Sequence, residues 1–320
     1  MPDYRVMGGT LRSVLEFPEL AEAGESVPTW ELVIDPAPPA LAAADRLGRD
    51  QVRGLWEVEL YRTSDGFQLR YGDTGIYQIR AGGRDICWHP PPPESRPFSP
   101  AQFCEAVRID VLGRVLATAM HAQGTLCLHG SAVRIGSGAI GFLAPKLHGK
   151  STLAYALVKA GASLLTDDTL PVELEPTSRV RPGVHSIRVW EDSAIRVNPP
   201  GPGGEQFEKG SFGKLRSRDL PESRLADEIT PLTALYLLAP RNGGAGVAPV
   251  ETSPLNSDQA ALALVRHAKI GPLLGKSEAG RLLEWCARLS RAVPVSVLRV
   301  ARGFDLLPTV VDRILRSHGP

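Results

Sequence analysis

The chain has 320 residues, 43% of them apolar and 22% charged, with a formal net charge of +1. That length suits one large domain or two modest ones, and so balanced a charge excludes duplex DNA or an anionic membrane as the main partner. The four cysteines, Cys87, Cys104, Cys127 and Cys286, include no C-x-x-C pair, which argues against zinc and against a disulfide framework and fits a reducing cytoplasm.

The opening "MPDYRVMGGT" lacks the apolar core of a signal peptide, and no apolar run approaches the roughly 20 residues needed to cross a bilayer, so a cytosolic location is expected. "TWELVID" reads as a strand. The following "PAPPALAAADRLGRD" has no clear period and is expected to be irregular. Residues 55–89 then carry four short β-type segments, "LWEVELYR", "GFQLRYG", "GIYQIRAG" and "RDICWH", separated by Gly and Asp turn signals, which predicts an antiparallel meander. "HPPPPESRPFSP" removes too many backbone donors to continue a helix or a central strand and reads as a linker. The domain boundary is expected there, with a β-rich domain over 1–100 and a second domain over 101–320.

Beyond the linker, Phe103, Val107, Val111, Leu112, Val115, Leu116 and Ala119 form a helical stripe that ends at Gly124. "TLCLHGSAVRI" and "GAIGFLA" read as strands, "GKSTLAYALVKAG" as a helix closed by Gly161, and "ASLLTDD" as a strand ending in two acids. Further strands are expected at "ALYLLA" and "VSVLRVA", with helices around 258–269, 278–291 and 305–316. This alternation predicts an α/β nucleotide-binding fold whose sheet is partly antiparallel.

The chemistry concentrates in "FLAPKLHGKSTLAYAL". A phosphate loop must curl so that successive N–H groups point at a polyphosphate while the next helix adds its positive end. Here Ala144, Pro145, Lys146, Leu147, His148, Gly149, Lys150, Ser151 and Thr152 form a relaxed version of that loop, with alanine where glycine is usual. Alanine tolerates most backbone shapes except those with positive φ. Strand, loop, helix, strand and acid are the working parts of a P-loop site, in which Lys150 contacts the β- and γ-phosphates of ATP, Ser151 binds Mg²⁺, and an acid at the strand end completes the metal or base chemistry. An ordinary strand-to-helix turn with a surface lysine is the plain alternative, and "TDDT" has one too, since Asp commonly opens turns. His148 is expected to project into solvent.

Taken together, "LHGSAVRI", "GKSTLAYAL" and "LLTDDTLPV" resemble, in order and spacing, the catalytic domain of HPr kinase/phosphorylase, a bacterial P-loop serine kinase. The likeness is closer to the HPr-kinase-like proteins of bacterial biosynthetic clusters, including lasso-peptide kinases, through "LRSVLEFPEL", "PGVHSIRVWEDSA", "GKLRSR", "LTALYLLAP" and "VPVSVLRVARG". The resemblance implies Mg-ATP-dependent phosphorylation of a hydroxyl, most naturally a serine of a peptide or protein. It implies that Lys150 holds phosphate, that Asp167 is the catalytic base with His129 beside it, and that Asp168 joins Ser151 at the metal, although the residues by themselves leave open which aspartate is the base. The family's kinases are ring-shaped hexamers, which makes a homo-oligomer possible, but no stretch marks a contacting surface and the oligomeric state stays open. The "E-x-R-G-x-G" signature of the phosphorylase activity is replaced by "SIRVWED", so that reverse activity is not expected. Arg188 is shaped for a phosphate contact. Lys214 and Arg216, in "EKGSFGKLRSRD", read as a basic loop able to close over nucleotide or substrate. A nucleotide-dependent peptide scaffold and a kinase of free serine or a similar small alcohol are the competing readings.

Overall fold

The computed structural model describes residues 1–319 apart from 25, 38, 40–44, 192–193, 195–206, 213, 218–219, 242–249 and 302; of 207, 208, 214, 217 and 301 it describes the backbone alone. The chain forms two compact units, one from Met1–Cys127 with Ala268–Leu282, the other from Leu128–His267 with Leu283–Pro320.

The first unit is built on one eight-stranded sheet. Its strands are β1 (Asp3–Val6), β2 (Gly9–Ser13), β3 (Trp30–Ile34), β4 (Asp45–Val52), β5 (Trp56–Thr63), β6 (Gly66–Tyr71), β7 (Gly75–Arg80) and β8 (Asp85–His89), in the order β1-β2-β3-β8-β7-β6-β5-β4. From β8 to β4 the neighbours run antiparallel, as the meander predicts; β3 lies parallel to both β2 and β8. The alternation along the strands sends Trp30, Leu32, Val58, Leu60, Leu69, Tyr77, Ile79 and Ile86 to one fully buried face. Each such side chain stabilises the fold by about 1.5–3 kcal/mol.

Helix α1 (Pro100–Asp110) starts cleanly: Ser99 and Gln102 form a reciprocal capping box, with Pro100 at the first helical position. It runs through a π-helical turn at Val111–Val115 into α2 (Leu116–Ala122). The predicted stripe is buried along all three segments, and Phe103 lies 6.1 Å from Trp88, ring to ring. Two expectations change here. Residues 45–50 of the segment expected to be irregular belong to β4, where Asp50 faces Val58 across the ladder. The helix after the linker belongs to the first unit, because its apolar stripe is spent on that unit's sheet, so the division falls at Cys127/Leu128 and not near residue 100.

Strand β9 (Leu126–Leu128) leads into the second unit, followed by β10 (Gly130–Ile135), β11 (Gly138–Leu143), α3 (Lys150–Lys159), β12 (Ser163–Thr166), β13 (Leu170–Glu173) and β14 (Arg179–Val180). Then come β15 (Arg188–Trp190), β16 (Phe207–Lys209), β17 (Lys214–Ser217), β18 (Thr230–Arg241), β19 (Val250–Pro254), α4 (Ser257–Arg266), α5 (Lys276–Ala292), β20 (Val295–Ala301) and α6 (Leu307–His318). The main sheet is mixed. β10 runs antiparallel to β11 and β12, while the long β18 is parallel to β11 and β20 and antiparallel to β14. The α/β class with a partly antiparallel sheet is therefore as the sequence predicts. Helix α3 buries Leu153, Ala154, Tyr155, Leu157 and Val158 in a core shared with Val310, Val311 and Ile314 of α6. The stretch expected to be a basic loop instead supplies β16 and β17, which pair with β15 in a small antiparallel sheet. Among the described residues no helix is long and apolar enough to cross a membrane.

Candidate functional site

Sheet direction alone gathers the predicted residues. Because β10 is antiparallel to both its neighbours, its first residues lie at the sheet edge where β11 and β12 end; Gly130 faces Leu143, and Ala132 faces Thr166. His129 and Ser131, the loop after Leu143 and the acid pair after Thr166 consequently meet at one edge. This is where the open ends of parallel strands usually present ligand sites.

The loop from Ala144 to Gly149 takes its turn at two left-handed residues, Leu147 with φ 69° and Gly149 with φ 82°. Ala144 is not one of them, and it is 1% exposed. The glycine missing from the usual pattern thus costs nothing in backbone strain, because the left-handed turn falls at other positions. Pro145, Lys146, Leu147, His148 and Gly149 are exposed, and His148 places Nδ1 2.8 Å from the Lys146 carbonyl. Lys150 is buried, and its ammonium donates to the carbonyls of Ala144 at 2.8 Å and Pro145 at 3.2 Å. Gly149 sets up the first turn of α3, whose N–H groups and positive end open toward the loop. Ser151 and Thr152, on that first turn, are half-buried.

The two aspartates diverge. Asp167 is buried and accepts from Ser131 Oγ at 2.5 Å and Ser151 Oγ at 2.9 Å on Oδ1, and from the Arg188 amide at 3.2 Å on Oδ2. That amide is within reach because the segment before β15 runs hard against β12: Gly183 donates to the Leu165 carbonyl at 2.8 Å, and a Cβ at Gly183 would sit 1.9 Å from Thr166 Oγ1. Asp168 is in the left-handed region, φ 72°, a conformation Asp tolerates better than most residues. The turn carries its carboxylate, 53% exposed, away from Asp167 and to within 3.3 Å of His129 Nδ1, which also lies 3.1 Å from the Asp168 carbonyl. The expected pairings are therefore reversed. His129 stands beside Asp168, whereas Asp167 is the partner of Ser151.

Arg188 and Arg216 face each other across the β15–β17 ladder, and Trp190 faces Lys214. Since Val189 is buried and Leu215 packs on the core, the alternation places Arg188 and Arg216 on the opposite, outer face. The Lys214 side chain lies outside the described residues.

Two residues at this edge carry no motif of their own. Ser131 lies on β10, two residues past His129, which forms the bend between β9 and β10; its neighbourhood with the acids follows from the register of β10 against β12 and not from the sequence. His267, at the end of α4, accepts a 2.6 Å bond on its carbonyl from the His129 amide. Burial first, then the positive charges of Lys150, His129 and Arg266, holds its imidazole down to about 4, so it is neutral at physiological pH. Nothing local in "LVRHAKI" signals that placement.

The arrangement offers an anion cradle at a helix N-terminus, a pair of hard oxygen donors in Ser151 and Asp167, and a second, accessible carboxylate beside an imidazole. Comparison with known proteins finds no matching family model and no matching curated protein. Among solved structures the chain is similar to the Hpr(Ser) kinase/phosphatase from Coxiella burnetii, at 13% identity over 60% of this chain and 89% of that one, with a TM-score of 0.32. At that level of likeness, the reading of the site rests on its own geometry.

Proposed function

We propose that the chain is a kinase that transfers the γ-phosphoryl group of ATP to a hydroxyl, a serine of a peptide or protein being the substrate favoured by the sequence resemblance. The observation that carries this reading is the bond from Ser151 to Asp167, set directly behind a phosphate-type loop. Hard oxygen donors of this kind suit Mg²⁺, which would be held by Ser151 and Asp167. When bound, the ion neutralises phosphate charge. Lys150 exchanges the carbonyls of Ala144 and Pro145 for phosphate oxygens, and the amides of the loop and of the first turn of α3 bind the rest of the polyphosphate. Asp168 takes the proton from the substrate hydroxyl, oriented by His129. Arg188 and Arg216 add positive charge on the outer face of their small sheet, where phosphate or an acidic substrate would be held.

The test is ADP release and phosphopeptide formation with serine-containing peptides and small alcohols, alongside nucleotide binding by calorimetry. Lys150→Ala should stay folded and lose roughly a hundred- to thousandfold in transfer, the usual effect of removing a donor aimed at developing charge. Full turnover by a folded Lys150→Ala protein would sink the kinase reading. Tight nucleotide binding with no transfer to any hydroxyl would favour the scaffold.

A further inference from the structure

The first unit carries a second constellation, far from any sequence motif. Strands β3 and β8 are parallel neighbours, with Val33 facing Cys87 and Ile34 facing Trp88; the Asp35 amide extends that ladder by donating to the Trp88 carbonyl at 3.0 Å. Alternation sends Ile86 and Trp88 to the core face, so Cys87 and His89 share the other face. One donor atom from each of Asp35, Cys87 and His89 lies within 4.8 Å of the other two, Cys87 and His89 being buried and Asp35 exposed.

The histidine's surroundings sharpen the case. His89 Nδ1 lies 2.6 Å from the Ala37 carbonyl, which can only accept, so Nδ1 carries a proton and, in the neutral ring, Nε2 holds the lone pair. That lone pair faces Gln78 Oε1 at 3.3 Å, and the amide oxygen is fixed in place by Arg80 Nη2, which donates to it at 2.9 Å. With acceptors at both nitrogens, the ring is satisfied either by a second proton on Nε2 or by a cation that takes the lone pair. A histidine that gives one N–H to a backbone carbonyl and offers the other nitrogen outward is also the usual posture of a metal ligand.

Against the expectation from the missing C-x-x-C pair, we propose that Asp35, Cys87 and His89 bind a divalent transition-metal ion of the zinc type, with a single cysteine among the ligands. Thiolate, imidazole and carboxylate together suit a borderline ion better than Mg²⁺ or Ca²⁺, and three protein ligands leave a fourth position for water or a small ligand. On binding, the Cys87 thiol gives its proton to solvent as sulfur coordinates the ion; His89 donates a neutral lone pair, Asp35 a carboxylate oxygen, and no electron changes hands.

The test uses the full chain, stripped of metal by a chelator under a thiol-free reductant and titrated with Co²⁺ as a spectroscopic probe. The expected result is a thiolate-to-cobalt charge-transfer band in the near ultraviolet with the visible bands of four-coordinate cobalt, bleached by an equivalent of Zn²⁺. That band separates this site from the phosphate-loop edge, where the proposed metal ligands are oxygens. Cys87→Ser should abolish it and Cys104→Ser, at an exposed thiol, should leave it unchanged. Because Cys87→Ser alters a buried position, Asp35→Asn at the exposed ligand is the second variant. It should keep the band while weakening Co²⁺ binding by roughly tenfold or more, at least the effect of losing an outer-shell partner. No sulfur-to-cobalt band at saturating Co²⁺, a band that survives in Cys87→Ser, or an unchanged affinity in Asp35→Asn would each overturn the site.

Discussion

Asp167 and Asp168 are chemically identical and adjacent, yet the backbone gives them different work. Asp167 continues the direction of β12 and is enclosed by Ser131, Ser151 and the Arg188 amide, while the left-handed turn at Asp168 brings the next carboxylate out beside His129. The two substitutions should therefore separate binding from chemistry. Asp167→Asn removes the charge behind Ser151, so Mg²⁺-dependent nucleotide affinity should fall and be partly restored by raised Mg²⁺. Asp168→Asn should bind Mg-nucleotide normally and lose roughly two to four orders of magnitude in single-turnover transfer, the usual size of a general-base contribution. If Asp168→Asn loses binding and Asp167→Asn loses only transfer, the roles proposed here are exchanged. The residue types and their spacing were legible in the sequence. Which acid meets which partner was not, because that is decided by one φ angle which no pattern of side chains specifies.

Among the elements, those with strong local signals were the readable ones: the meander of β5 to β8 with its Gly and Asp turns, and the strand, loop and helix from Gly138 to Lys159. β4 was not, since "DRLGRDQV" is mostly polar and earns its place as a strand by pairing with β5. The turn after it holds a further long-range device. Arg53, at φ 48°, donates to Asp73 at 2.5 and 2.8 Å and to Asp110 at 2.9 and 2.8 Å, and Thr74 also donates to Asp110 at 2.7 Å. One guanidinium thereby ties the β4–β5 turn, the β6–β7 turn and the end of α1, with side-chain exposures of only 10%, 0% and 4% for the three charged groups. A buried ion cluster is weak evidence of net stability, but removing one partner leaves uncompensated charge in low dielectric. Arg53→Met should cost about 3–5 kcal/mol in urea unfolding of the full chain, followed by a probe in the first unit. Replacing all three, Arg53→Met with Asp73→Asn and Asp110→Asn, should recover part of that loss. A cost under about 1 kcal/mol for the single change would show that the cluster is not the clamp it resembles.

Over the whole molecule, the titrating groups of both units determine how the fold responds to acid. Burial lowers the imidazoles of His121 in the first unit and of His267 and His318 in the second, His121 despite its 2.9 Å contact with Glu278 and His318 beside Tyr236 at 2.7 Å. A base whose folded pKa is depressed takes up its proton more readily in the unfolded chain, so stability rises with pH through the window between the two values. For His267 that contribution is complete above about 6.5 and is lost as the pH falls toward about 4. Asp110 works the other way. Burial, only partly offset by Arg53 and Thr74, pushes its carboxyl up to about 6, so it favours the folded state as the pH falls below that value. With three imidazoles opposing one carboxyl, the urea midpoint should fall between pH 6.5 and 4.5. His267→Gln, which keeps a neutral polar side chain but cannot charge, should show a shallower fall than the wild-type chain over the same interval. Its readout is the slope of unfolding free energy against pH, which is independent of catalysis. Equal slopes for the two proteins would mean that His267 is as free to protonate in the folded chain as in the unfolded one. The neutral imidazole beside Lys150 and His129 would then be the wrong description of that edge.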